Sequence, residues 1–133
     1  GAERFRLLRL DSSLPYFQAE IEPLADEVGD VATATLAAQR VQAGFRNYLN
    51  TLADRGGGTI SLASLPDEPL LLSYVVAAAM IIDLPERQSL LAAPDALARL
   101  KAERALLARE TGMLKATTSR PAPDFSYAPY SPN

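Results

Sequence analysis

The sequence predicts an α+β fold in which an N-terminal β-hairpin is followed by a four-helix bundle and an extended, proline-rich tail. Residues 16–22 alternate apolar and polar side chains, which is typical of a strand. From about residue 30, apolar side chains recur at helical spacing, and four of the last 15 residues are proline. With 133 residues, 48% hydrophobic content and a net charge of −3, the chain has the composition of a globular domain.

The hairpin is predicted from residues 4–10 (RFRLLRL) and 16–22 (YFQAEIE), which are joined by a link of turn-forming residues. In the second strand Phe17, Ala19 and Ile21 fall on one side, which predicts one buried face. Basic residues of the first strand are expected to pair across the hairpin with acidic residues of the second. These residues are Arg4, Arg6 and Arg9 on one strand and Glu20 and Glu22 on the other.

An isolated hairpin is only marginally stable in water, so further strands should lie beside it. The rest of the sequence offers no other convincing strand, and its first residue is glycine rather than methionine. We therefore expect residues 1–29 to be the C-terminal strands of an incomplete β domain. On this interpretation the sequence is the C-terminal part of a longer protein.

Residues 30–118 are predicted to form the helical bundle. The expected helices cover residues 30–54, 67–82, 83–92 and 94–116, with Asp30, Asp67 and Asp83 as N-caps. Asp83 and Glu86 have the spacing of a capping box. In the fourth helix we expect a leucine stripe to face the bundle, and Arg99 and Glu103 to pair on the solvent side at i, i+4. The stripe consists of Leu97, Leu100, Leu107 and Leu114.

The tail, residues 119–133, cannot be helical because of its prolines. Its aromatic residues Phe125, Tyr127 and Tyr130 provide apolar area with which an extended segment can dock. We expect at least two of these rings to pack onto the helices or the hairpin, covering a surface that a bound polypeptide would otherwise use.

The absence of histidine and cysteine removes the usual ligands of zinc, haem and iron–sulfur clusters, and it excludes Ser-His-Asp and Cys-His catalysis within these 133 residues. Only Lys101 and Lys115 could serve a Ser-Lys dyad, and both stand among charged residues on the predicted fourth helix, where a solvated lysine cannot act as a base. The glycines at 56–58 follow a helix rather than a strand, which favours a flexible connection over a phosphate-binding loop. We therefore expect no enzyme activity, no cofactor and no metal.

Composition also bears on partners and location. An isoelectric point near 4.9 disfavours nucleic-acid binding. The most apolar stretch, residues 70–82, is shorter than the roughly 20 residues of a membrane span. The lack of cysteine fits a reducing compartment. We expect neither nucleic acid nor membrane as a partner, and a cytoplasmic location.

Several segments in order resemble the N-terminal, substrate-binding domain of Lon proteases. The helical half is similar at residues 65–69 (LPDEP), 72–75 (LSYV), 83–91 (DLPERQSLL), 98–100 (ARL) and 106–110 (LLARE), and the late strands at 1–7 (GAERFRL) and 15–22 (PYFQAEIE). The box R-Q-x-L-L after D-L-P is the most characteristic part. The resemblance implies a PUA-like pseudobarrel whose earlier strands are absent, in a stand-alone bacterial protein without ATPase and Ser-Lys peptidase domains.

This resemblance implies a non-catalytic domain that binds unfolded or flexible polypeptide. Phe45, Tyr48 and Leu49 of the first helix are candidate contacts, although apolar residues at this spacing are also typical of a helix core. The alternative is a structural or regulatory domain that binds no polypeptide and associates with itself, for which the exposed edge of the hairpin is a candidate surface.

Overall fold

A computed structural model describes residues 4–56 and 64–118 of the chain. Over these residues an antiparallel β-hairpin is followed by four helices, which confirms the predicted α+β fold. The elements are β1 (Arg4–Asp11), β2 (Gln18–Leu24), α1 (Val31–Gly56), α2 (Pro69–Ala79), α3 (Leu84–Leu91) and α4 (Ala96–Thr118). The tail with Phe125, Tyr127 and Tyr130 lies outside the described residues, so its docking and the division into three regions stay predictions.

The register of the hairpin separates an apolar face from a charged face. Phe5, Leu7 and Leu10 stand opposite Pro23, Ile21 and Ala19, whereas Arg6 and Arg9 stand opposite Glu22 and Glu20. The register shifts between Leu7 and Arg9, so Leu8 is a bulge. Because the extra residue reverses the alternation of β1, Leu10 returns to the apolar face and Arg9 to the charged one.

The predicted ion pairs across the hairpin are confirmed on the charged face. The Arg6–Glu22 distance is 2.7 Å and the Arg9–Glu20 distance 3.8 Å. Arg4 instead reaches Asp26, beyond the end of β2. All four side chains of the two cross-strand pairs are more than 40% exposed, so these pairs contribute little to stability.

The predicted buried face of the second strand is wrong. Ala19 and Ile21 do lie on the apolar side, Phe17 precedes β2, and all three are exposed. Within residues 4–56 and 64–118 the sheet has two strands, and no helix packs against this side of it. Alternation therefore predicted the direction of Ala19 and Ile21 correctly but not their burial.

Helix starts follow local capping chemistry. Asp30 accepts a hydrogen bond from the Thr33 amide (2.9 Å), and Asp83 accepts one from the Glu86 amide (2.8 Å), as predicted. The predicted cap of α2 is wrong by one residue, because the Glu68 carboxylate accepts from the amides of Leu70 and Leu71. The helix also ends at Ala79, three residues earlier than predicted, because the next residue is extended.

The core lies where α1, α2 and α4 meet, and α4 contacts each of the other three helices. Its buried side chains come from one face of each helix: Val41, Phe45 and Tyr48 of α1, Leu72 and Val76 of α2, and Leu100 and Leu107 of α4. Of the predicted leucine stripe, Leu100 and Leu107 are buried, while Leu97 and Leu114 are half-buried at its ends. None of the helices in the described ranges is both long and apolar enough to cross a membrane.

The predicted solvent-side pair on α4 is wrong. Arg99 is 1% exposed and Glu103 is 0% exposed, so neither side chain faces water. Helical spacing placed these residues one turn apart correctly. The prediction missed that neighbouring helices cover both side chains together with Leu100 and Leu107.

Candidate functional site

The hairpin presents a continuous apolar surface to solvent. We define the hairpin apolar face as Phe5, Leu7, Leu10, Ala19 and Ile21, which the strand register brings together on one side. Phe5, Leu7 and Leu10 are each more than half exposed, and Ile21 is 47% exposed. Large apolar patches on soluble domains commonly mark interaction sites. The hairpin apolar face is therefore the first candidate contact surface.

The backbone of the hairpin adds to this surface. Each strand has one neighbour in the part of the chain that the structure describes, so the outer edges of β1 and β2 have unpaired amide and carbonyl groups there. An extended polypeptide can add to such an edge by main-chain hydrogen bonds, while alternate side chains meet the apolar face.

Arg4 joins the base of the hairpin to the helices. Its side chain is 7% exposed, and its guanidinium donates to Asp26 Oδ1 (2.7 Å) and to the carbonyls of Ala25 (3.0 Å), Leu91 (3.1 Å) and Ala93 (2.8 Å). The last two carbonyls belong to the end of α3 and the turn after it. Arg4 therefore sets where the hairpin stands relative to the bundle.

Asp26 continues this connection into α2. The Tyr74 hydroxyl donates to Asp26 Oδ1 at 2.5 Å. This hydrogen bond is the main reason that the pKa of Asp26 is lowered, with Arg4 adding to the effect. Burial, and then the same hydrogen bond, raise the pKa of Tyr74. Near neutral pH the Asp26 carboxyl is therefore ionised and the Tyr74 hydroxyl keeps its proton, as this hydrogen bond requires.

Arg99 lies on the other side of Tyr74 and is held by three neutral oxygens. Its guanidinium donates to the Leu90 carbonyl (2.9 Å), the Ser73 hydroxyl (2.8 Å) and the Tyr74 hydroxyl (3.3 Å). Its Cζ atom lies 4.1 Å from the centre of the Tyr74 ring, a cation–π contact. A network of hydrogen bonds thus runs from Arg4 through Asp26 and Tyr74 to Arg99.

Glu103 is the one buried carboxylate of α4 among the described residues. Within those residues neither of its oxygens has a hydrogen-bond partner. Burial raises its pKa to about 8, and the charge of Arg99 opposes this rise only in part. The side chain is therefore mainly protonated and neutral at pH 7.

A groove lies between α2 and α3 and reaches the first turns of α4. Its cavity has a volume of about 360 Å³, which is at the lower end of the range for ligand pockets. The apolar part of its wall consists of Ala77, Ala78, Leu84 and Leu91. The polar part consists of Tyr74, Arg87, Gln88 and Arg99. This groove is the second candidate contact surface.

The contact residues predicted on α1 lie in the core. Phe45 and Tyr48 are each 1% exposed and Leu49 is 9% exposed, and the two rings stack with centres 6.3 Å apart. The Tyr48 hydroxyl accepts a hydrogen bond from the Ile81 amide at 3.2 Å. In the folded bundle these side chains are enclosed by α2 and α4, so polypeptide binding by them stays a prediction. No group of three acidic side chains within residues 4–56 and 64–118 is arranged to hold a metal ion.

Comparison with known proteins identifies the family. Residues 1–109 match the family described as the ATP-dependent protease La (Lon) substrate-binding domain. The chain belongs to the Lon substrate-binding domain family. It is also 24% identical over 115 residues to a Lon protease of Azorhizobium caulinodans, an alignment that covers 86% of this chain and 13% of the relative.

The description of the Lon substrate-binding domain family supports a substrate-recognition role at the level of the family. The match includes the hairpin apolar face, the Arg4–Arg99 network and the groove, and it ends at Arg109 within α4. Both candidate contact surfaces therefore lie in the part of the chain that defines the family.

Sequence reasoning missed the burial of Arg99 and Glu103 and the groove beside Arg99. One signal was available for Glu103, which lies three residues after Leu100 and four before Leu107. That spacing places it on the same face as the leucines. No comparable pattern marks the groove, because α2 and α3 contribute its walls through their packing.

Proposed function

We propose that this chain binds unfolded or flexible polypeptide through the hairpin apolar face. The observation that carries the proposal is the exposure of large apolar side chains on one side of a hairpin whose strand edges are unpaired in the described residues. Family membership supports the substrate-recognition part of the proposal.

The physical basis is selectivity for extended segments. An unfolded chain has free backbone groups and exposed apolar side chains, which a folded protein keeps paired or buried. Addition to the edge of β1 or β2 pairs the free backbone groups without regard to sequence. The hairpin apolar face at the same time covers apolar side chains of the segment, each of which contributes up to about 1.5–3 kcal/mol when fully buried.

Fluorescence anisotropy with a labelled, reduced and alkylated small disulfide protein tests this function, with its native disulfide-bonded form as the folded control. Binding of the unfolded form and not of the native form is the expected result. Equal binding of the two forms, or binding of neither, would contradict the proposal.

A pair of double variants locates the surface. Leu7→Gln with Ile21→Gln makes two cross-strand neighbours of the hairpin apolar face polar, and we expect affinity for the unfolded probe to fall about tenfold or more. Glu20→Gln with Glu22→Gln changes the opposite face by the same number of substitutions and should keep the affinity within about threefold. A comparable loss of affinity in both double variants would mean that the unfolded probe does not bind through the hairpin apolar face.

Self-association through the hairpin edge is the alternative, since an unpaired edge also accepts a strand from a second copy. Sedimentation velocity of the chain alone distinguishes the two, because a concentration-dependent dimer that fails to bind the unfolded probe would favour this alternative. We further propose that the chain has no peptidase or ATPase activity of its own and acts in the cytoplasm. These proposals concern this chain, which spans 13% of the length of its Lon relative.

A further inference from the structure

The groove between α2 and α3 combines apolar walls with two guanidinium groups. Arg87 and Arg99 both line it, and no acidic side chain of the described residues does. The Arg87 guanidinium donates to the Met80 carbonyl at 3.1 Å. All three hydrogen-bond acceptors of Arg99 are neutral oxygens. The groove therefore has a positive lining in an apolar setting.

No carboxylate in residues 4–56 and 64–118 forms an ion pair with either guanidinium. Asp26 lies beyond the Tyr74 hydroxyl, and Arg4 already pairs with it. Glu103 is one turn from Arg99, but its raised pKa leaves it mainly neutral at pH 7. Among the described residues, Arg99 is thus a buried cation without a matching anion, an arrangement that favours the arrival of one.

The shape of the groove indicates how a ligand would lie. Leu84 forms one wall and is 80% exposed, so the groove opens to solvent beside it. A polypeptide can then continue on both sides of a bound segment, which an enclosed pocket would prevent. The volume of about 360 Å³ suits a single large side chain and its immediate neighbour.

We propose that this groove binds polypeptide segments in which an aspartate or glutamate stands next to a large apolar residue. The apolar side chain lies against Ala77, Ala78 and Leu84, and the carboxylate faces the exposed Arg87, beside the part of the groove wall that Arg99 contributes. The proposal rests on the proposed function, that the chain binds unfolded polypeptide, and adds the chemical class of segment that this second surface selects. An acidic side chain within a chain is the ligand, rather than a chain terminus, because the groove is open beside it.

Three labelled ten-residue peptides test the proposal with the full chain in anisotropy titrations. All have glycine–serine flanks and blocked N-termini; the first carries a central Leu-Glu and an amidated C-terminus. The second carries Leu-Gln and is amidated, and the third carries Leu-Gln with a free C-terminal carboxylate. We expect the Leu-Glu peptide to bind about fivefold or more tightly than the amidated Leu-Gln peptide at low salt, with the difference shrinking at high salt.

Variants assign the preference to the groove. Arg87→Gln changes an exposed residue and should remove most of the preference for the Leu-Glu peptide. Ala78→Phe should weaken the binding of both amidated peptides, because the larger side chain fills the apolar part of the groove. Arg40→Gln changes an exposed arginine of α1 outside the groove and should keep the preference. Retention of the full preference in Arg87→Gln would overturn the assignment.

Other results are equally decisive. Equal affinity for Leu-Glu and Leu-Gln overturns the proposal, and so does tightest binding of the peptide with the free C-terminus. If the peptides show no difference while the unfolded probe still binds, the groove proposal fails and the proposed function stands. If the unfolded probe does not bind, the proposed function fails, and the peptide preference decides the groove proposal separately.

Discussion

Arg99 and Glu103 lie one helical turn apart on α4, and both are buried, yet no ion pair joins them. Arg99 instead donates to oxygens of α2 and α3, while the carboxyl oxygens of Glu103 have no hydrogen-bond partner in the described residues. A buried carboxylate without partners is costly, so the protonated form is favoured. This relationship governs how the stability of the bundle depends on pH.

Glu103→Gln should change that pH dependence. Because the pKa of Glu103 is raised to about 8 in the folded chain, the folded state binds one more proton than the unfolded state between about pH 4.5 and 8. The free energy of unfolding of the wild type should therefore fall as pH rises across this range, by on the order of 2–4 kcal/mol. Urea unfolding at pH 5 and pH 8 should show the variant gaining stability relative to the wild type at the higher pH.

Other acids do not obscure this range. Hydrogen bonds from Tyr74 and Arg109 lower the pKa values of Asp26 and Glu86, so their contributions to stability are lost only as the pH falls into the acidic range. A constant difference in stability between wild type and Glu103→Gln from pH 5 to 8 would contradict the burial of Glu103 as the cause.

Arg99→Ala should be strongly destabilising, contrary to what a solvent-side position would imply. The substitution leaves the Leu90 carbonyl and the Ser73 hydroxyl without their donor in a buried site, and it removes the stacking on Tyr74. We expect a loss of about 3–5 kcal/mol, measured by urea unfolding. Arg104→Ala, on the exposed side of the same helix, should lose less than about 1 kcal/mol. Similar losses for the two would mean that Arg99 is not buried in solution.

Arg4→Ala should loosen the hairpin from the bundle. The buried Arg4 guanidinium makes four hydrogen bonds, to the Asp26 carboxylate and to the carbonyls of Ala25, Leu91 and Ala93. We therefore expect the free energy of unfolding to fall by about 2–4 kcal/mol. Hydrogen exchange should quicken at the amides of Ala96 and Leu97, which donate to the carbonyls of Glu27 and Val28 and so join the linker to the start of α4. Arg6→Ala removes only an exposed pair and should leave exchange at these residues unchanged.

Gly29→Ala and Gly112→Ala should have opposite effects. Gly29 has φ +79°, and a Cβ there would lie 3.1 Å from Asp95 Cγ and 3.3 Å from Leu97 Cβ. We therefore expect Gly29→Ala to lower the free energy of unfolding by about 1–3 kcal/mol. Gly112 is an exposed residue within α4, and an alanine Cβ at this position would meet nothing within 4 Å. Gly112→Ala should therefore raise the free energy of unfolding by about 0.5–1 kcal/mol. Thermal melts of the two variants check the signs, and a stabilised Gly29→Ala would refute the left-handed turn before α1.

Local features of the fold were predictable because they depend on near neighbours in the sequence. The cap at Asp83 needs only an amide three residues further along, and Arg6 and Glu22 meet because a hairpin brings nearby residues together. The bulge at Leu8 was not predicted, since one extra residue in a short apolar run leaves the alternation ambiguous. The family resemblance was likewise carried by local motifs, and the family match confirms it.

The sequence by itself determined the hairpin, the four helices, most of their caps and the family. Only the tertiary structure decided which side chains are buried. Because α4 contacts α1, α2 and α3, helical periodicity alone could not assign Arg99 to a buried side, and alternation could not show that Ile21 stays exposed. Burial depends on what packs against a face from elsewhere in the chain, whereas periodicity records only which residues share that face.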